Sequence, residues 1–159
     1  MLVNNMRSFA VPQTCEVPKG AYGIWQIPEQ NVLIPLYKAP LNAIGQKVID
    51  AENSAAFEPY GCANMIIDHA DSISNDGKGI WQIGELHPDS MAFLTLANGK
   101  TKSYKCALVA HVSVKGSAYL LDGMAMYPNK ATDIVCVCCV GSNSNENYWA
   151  LFKYKGEMP

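Results

Sequence analysis

A mainly β domain is the fold this sequence predicts: a closed or nearly closed antiparallel barrel of about eight strands with one or two short helices. Three observations carry the prediction. Short runs rich in β-branched and aromatic residues recur along the chain, separated by Gly, Pro and Asn. An Asn98-Gly99 pair stands between two of those runs, which is a strong short-range hairpin signal. The stretch from 42 to 50 has apolar residues at near-helical spacing, enough for one short helix.

Taken in order, residues 1–20 form an irregular N-terminal arm, broken by Pro12 and Pro18, and residues 21–159 form the barrel domain. The first strand pair is Gly23 to Pro28 and Val32 to Tyr37, joined by a short polar link. A short helix over 42–50 follows, then a loop or irregular turn from Ala51 to Pro59. Ala63 to Ile67 is a short buried strand that delivers Asp68 and His69 at its end. Ala70 to Gly79 carries Asp71, Ser72, Ser74, Asn75, Asp76 and two glycines and reads as a surface loop, with a helical turn near Trp81, Ile83 and Leu86. Met91 to Leu96 and Ser103 to Val114 flank the Asn-Gly turn. Ile134 to Val140 is a further strand, Gly141 to Asn147 a polar loop, and Trp149 to Tyr154 the closing strand.

Composition narrows the function. The 159 residues are 49% apolar and 16% charged, as in an ordinary folded domain long enough to bury a core. Arg7 is the single arginine and there is no basic run, so there is little to neutralise phosphates, and nucleic-acid binding is not expected. No apolar run is long enough to span a membrane, and the first residues lack the apolar stretch of a secretory leader. Phosphate-loop, dinucleotide and Gly-x-Ser-x-Gly patterns are absent. No cofactor is expected, and no metal, because Cys136-Val137-Cys138-Cys139 has no second cysteine knuckle to complete a zinc site.

The chemistry that remains is carried by thiols and imidazoles. Cys106 lies in an apolar strand and reads as core filler. Cys138 and Cys139 face opposite ways along one strand, so at most one of them serves a given site. Cys139 ends its strand just before a Gly- and Asn-rich loop, where a nearby imidazole makes thiolate available. Of the three histidines, His87 precedes Pro88 in a polar loop and His111 sits within an alternating strand, both with ordinary structural readings. His69 follows an apolar strand and opens a polar loop, a common place for a functional group.

The order of these pieces resembles the sortase family of cysteine transpeptidases. Trp25-Gln26-Ile27-Pro28 and Val32-Leu33-Ile34-Pro35-Leu36-Tyr37 are similar to the family's opening strands. Asn64-Met65-Ile66-Ile67-Asp68-His69, followed by Gly79-Ile80-Trp81, resembles its histidine strand, and Ile134-Val135-Cys136-Val137-Cys138-Cys139 its Thr-Cys strand, with Cys138 at the threonine. The resemblance spans about residues 20–155. It implies catalysis by Cys139 and His69 on a peptide sorting-type signal, through a thioacyl intermediate that an amine acceptor resolves. It also implies substrate contacts at Trp81, Cys138 and Trp149, a groove flanked by residues 71–78, and an extracellular or cell-surface location in a Gram-positive setting. The family's arginine should fall near residues 147–149. None stands there, and Lys153 lies further along, so Asn147 is the remaining donor for a developing oxyanion. Two other readings stay open: a catalytically impaired barrel serving as a binding or structural module of a surface or virion assembly, and an unrelated β domain with structural thiols.

Overall fold

The computed structural model describes residues 11–38, 55–60, 63–67, 86–115, 118–125, 132–140 and 143–158. Ten strands are present among them: β1 (Gly23–Ile27), β2 (Val32–Lys38), β3 (Ala55–Tyr60), β4 (Ala63–Ile67), β5 (Met91–Leu96), β6 (Thr101–Lys115), β7 (Ala118–Leu121), β8 (Met124–Ala125), β9 (Ile134–Val140) and β10 (Asn143–Glu157). They form one sheet in the order β10-β9-β4-β3-β2-β1-β5-β6-β7-β8, and an additional β10–β6 pairing closes it. Eight strands therefore make a ring, as the sequence predicts, and β7 and β8 continue outward from β6.

Turn chemistry explains the well-read half of the ring. β1 passes into β2 through a single 3-10 turn, Pro28–Gln30, and Asn31 takes the left-handed conformation with φ 56°. Asparagine tolerates that region better than most residues. β5 turns into β6 at Asn98-Gly99, where Gly99 has φ 84° and donates its N–H to the Leu96 carbonyl at 2.9 Å. The Asn98 Oδ1 accepts from the Lys100 N–H at 3.0 Å.

Four elements depart from expectation. The barrel is not purely antiparallel, because β2–β3 and β4–β9 pair in parallel. Ala51 to Pro59 does not remain a loop: β3 occupies Ala55–Tyr60, pairing with β4 along its length. Pro59 lies beyond the β2 pairing, which ends at Phe57, so its missing N–H costs that ladder little. The last strand begins at Asn143 rather than after Asn147. Its polar start is held by β9 on one side and β6 on the other, with a register shift between Asn143 and Asn147. The fourth is a hairpin the reading passed over, in which Leu121 pairs with Met124 around Asp122 and Gly123, both at positive φ. The expected helix at 42–50 lies outside the described residues.

Alternation along the strands creates two apolar layers. The barrel interior holds Trp25, Ile27, Ile34, Leu36, Ile66, Leu94, Tyr104, Cys106, Cys136, Cys138, Ala150 and Phe152. Trp25 anchors it, with ring centroids 5.3 Å from Phe152 edge-on and 5.4 Å from Tyr104. The second layer lies on the outer face of β4, β9, β10 and β6. It contains Met65, Val135, Val137, Trp149, Leu151, Ala110 and Val112, and Tyr119 and Leu121 of β7 pack against it.

Among the described residues, the buried Gln26 side chain ties the N-terminal arm to the barrel. Gln26 accepts from the Gln13 N–H at 2.9 Å and donates to the Gln13 carbonyl at 3.0 Å, so its amide pairs with the arm as another strand would. The same Nε2 lies 3.4 Å from the Cys15 sulfur.

Candidate functional site

The site is built around β9, which runs between β4 and β10. On one side the parallel register pairs Met65 with Val135 and Ile67 with Val137. On the other, the antiparallel register pairs Val137 with Trp149 and Cys139 with Asn147. β10 in turn sets Trp149 against Ala110 and Asn147 against Val112 of β6. Two rows thus cross the wall of the barrel. One is Ile67, Val137, Trp149 and Ala110; the next is Cys139, Asn147 and Val112.

Asn147 is therefore the residue that stands directly opposite Cys139, and it is buried. Lys153 pairs with Lys105, six residues along β10 from Asn147, which at the rise of a strand is about 20 Å. It has no part in this row. Cys138 and Trp149 are both buried, but in different layers: Cys138 in the barrel interior and Trp149 in the outer one. They do not line one groove. Trp149 Nε1 has no hydrogen-bond partner among the described residues, although its atom is closed from solvent. His69 and Trp81 lie outside the described residues.

The other two histidines sit in ordinary surroundings. His87 is exposed, with Nδ1 2.9 Å from the Pro88 carbonyl and Nε2 3.5 Å from a Glu29 carboxylate oxygen. His111 is exposed on β6, 3.4 Å from Glu146 Oε2 and with its ring beside Tyr148. The Glu146 partner was hidden to sequence reasoning, because it depends on the register of β10 with β6.

The interior thiols behave as core. Burial pushes the Cys106 thiol up to about 11 from an ordinary 9.0, and it donates to the Leu108 carbonyl at 3.8 Å. Burial likewise holds Cys136 well above the ordinary range. These thiols lose protons more readily in the unfolded chain than in the folded one. The Cys106 contribution to stability is complete below pH 9 and is lost as pH rises toward 11. The melting temperature is expected to fall across that window in differential scanning fluorimetry, with a shallower fall in Cys106→Val. Equal slopes in the two proteins would rule out Cys106 as a source.

No protein-family model matches the sequence, and no curated protein does. Solved structures do match. The chain is similar to a sortase E of Streptomyces coelicolor with a tripeptide in its active site, at TM-score 0.65 and 16% identity, covering 91% of this chain and 94% of that one. It is similar to sortase A of Listeria monocytogenes at TM-score 0.63 and 10% identity, covering 89% and 92%. Sortase C of Streptococcus pneumoniae gives TM-score 0.65 at 11% identity, covering 99% and 87%. The fold is sortase-like.

Proposed function

We propose that the chain is a sortase-like cysteine transpeptidase or peptidase in which Cys139 is the nucleophile and His69 its acid–base partner. One observation supports the pairing most directly. The last parallel pair between β4 and β9 is Ile67 with Val137, and His69 and Cys139 each follow by two residues. A register continued by those two steps would set imidazole and thiol on neighbouring strands. Strand alternation would put both on the outer face, with Val137 rather than with Cys138.

The reaction follows from that arrangement. The Cys139 thiolate adds to a peptide carbonyl carbon, and the C–N bond breaks as His69 gives its proton to the leaving amine. An acceptor amine then attacks the thioacyl carbon and loses a proton to His69, and the thiolate is released. Asn147 donates a neutral hydrogen bond to the oxyanion formed in each step. Trp81 is the expected peptide contact, whereas Trp149 is buried in the row next to Cys139 and Asn147. The substrate class and a cell-surface location in a Gram-positive setting rest on the likeness to sortases. Among the described residues no helix is long and apolar enough to cross a membrane.

A neutral Asn147 opposite Cys139 supports a second reading: a barrel with impaired catalysis that binds peptide or protein within a surface or virion assembly. Thiol labelling separates the two. Brief treatment with iodoacetamide at neutral pH, followed by peptide mapping, is expected to modify Cys139 ahead of the other cysteines. His69→Ala should slow that labelling by about 100-fold, the lower end of the range for a positioned acid–base group. Uniform labelling of several thiols, or none at Cys139, would overturn the catalytic reading.

A further inference from the structure

We propose that Asn98 is a site of spontaneous backbone modification, where the tip of the β5–β6 hairpin converts to isoaspartate and aspartate and weakens as the protein ages. The proposal is independent of the catalytic reading. Asparagine followed by glycine occurs once in the chain, at Asn98-Gly99. The fold puts that pair in the open: Ala97, Asn98, Gly99 and Lys100 are all exposed. Apart from its chain neighbours, no atom lies within 4 Å of where a Gly99 side chain would begin. A ring closing at this peptide therefore meets no wall.

The geometry prepares one half of the reaction and restrains the other. The Asn98 side chain folds back toward the backbone that follows it, its Oδ1 accepting from the Lys100 N–H at 3.0 Å. That hydrogen bond draws electron density from Cγ, the atom to be attacked. In ring closure the Gly99 nitrogen bonds to Asn98 Cγ. The Cγ–Nδ2 bond breaks, and the Gly99 amide proton leaves with the side-chain amide as ammonia. Water then opens the succinimide at either carbonyl, giving aspartate or isoaspartate. Glycine favours the closure because it has no Cβ to crowd the ring. The other described asparagines precede larger residues, among them Val32 after Asn31 and Tyr148 after Asn147. The restraint is the Gly99 N–H, which donates to the Leu96 carbonyl at 2.9 Å. Its nitrogen can attack only when that bond opens, so turn opening sets the rate.

The product cannot keep this turn. Isoaspartate adds one methylene to the main chain inside a loop that the Leu96 N–H closes on the Lys100 carbonyl at 2.8 Å. The Thr95–Thr101 hydroxyl contact beside it, at 3.0 Å, loosens as well.

The test ages the whole protein at mildly alkaline pH and maps the amide-to-acid mass change by peptic digestion, with electron-transfer fragmentation to tell isoaspartate from aspartate. Conversion is expected at Asn98 before any other asparagine and is abolished in Asn98→Gln, whose longer side chain closes a ring far more slowly. Asn98→Ser, which forms no such ring, stands in if the glutamine variant fails to fold. A free peptide spanning residues 93–104 should convert about 2- to 10-fold faster than the folded protein, the factor that one exposed hydrogen bond supplies. Converted protein should melt about 2–4 °C lower, while the aged glutamine or serine variant keeps its melting temperature. Conversion that begins elsewhere, spreads evenly over several asparagines or never occurs would overturn the site. Equal rates in peptide and protein would overturn the control by turn opening, and an unchanged melting temperature in converted protein would overturn the weakening.

Discussion

Phe152→Ala is expected to cost about 3–5 kcal/mol, the range for emptying a large aromatic from a close-packed core. Phe152 is fully buried on β10, at the point where that strand pairs with Cys106 on one side and Ile134 on the other. Its ring meets Trp25 edge-on at 5.3 Å, and Trp25 in turn meets Tyr104. These residues come from β10, β1 and β6, which span the barrel from wall to wall. The cavity left by alanine cannot be filled by one strand shifting, because each neighbour is tied into the closed ring. Against a total stability of about 5–15 kcal/mol for a domain of this kind, the loss is a large share, and at the lower end of that range it approaches the whole. Phe152→Leu keeps most of the volume and should cost less than about 1.5 kcal/mol. Urea unfolding followed by far-UV circular dichroism measures both. A loss below about 1 kcal/mol for the alanine variant would mean that Phe152 does not join the two walls.

That core was legible in part because its strands announce themselves locally. β1, β2, β5 and β6 are bounded by turn residues whose backbone needs are specific, such as Asn31 and Gly99. β9 is a run of Ile, Val and Cys that has few alternatives to a buried strand. β3 was not legible, since Ala55, Glu58 and Pro59 disfavour strands and its pairing depends on partners distant in sequence. The same holds for the start of β10, where Ser and Asn spell a loop and only the pairing with β6 and β9 makes a strand. The β7–β8 hairpin did have a local signal, Asp122-Gly123, one of the strongest two-residue turn pairs.

The candidate site divides along the same line. Strand alternation alone separates Cys138 from Cys139, and Cys138 is indeed in the barrel interior. What alternation does not supply is the neighbour across the ladder. Asn147 meets Cys139 only because the chain shifts register between Asn143 and Asn147, and a shift of one residue would have exchanged Asn147 for Tyr148. The parallel register of β4 with β9 is equally non-local, and it is the strongest support for bringing His69 toward Cys139.

If the row Cys139–Asn147 is a reaction centre, Asn147→Arg should raise peptide cleavage by about 100-fold, reversing the loss expected when one oxyanion donor is missing. Asparagine offers a neutral amide, whereas a guanidinium offers a fork of charged donors that strengthens as negative charge forms on the carbonyl oxygen. The substitution places that fork at the position opposite Cys139. It also brings a charge to a buried position, so some stability will be lost. The melting temperature must therefore be recorded with the rate. Asn147→Lys supplies charge without planar geometry and should give a smaller rise. Cleavage is followed with a pool of quenched-fluorescent peptides, comparing each variant with its own Cys139→Ala form to subtract background. A folded Asn147→Arg protein with no gain over the parent, in peptides that label Cys139 in the parent, would remove Asn147 from the reaction. A gain that persists in the Cys139→Ala form would remove the row altogether. The expected pattern, a large rise with arginine, a smaller one with lysine and none without the thiol, is one that no purely structural role for Asn147 produces.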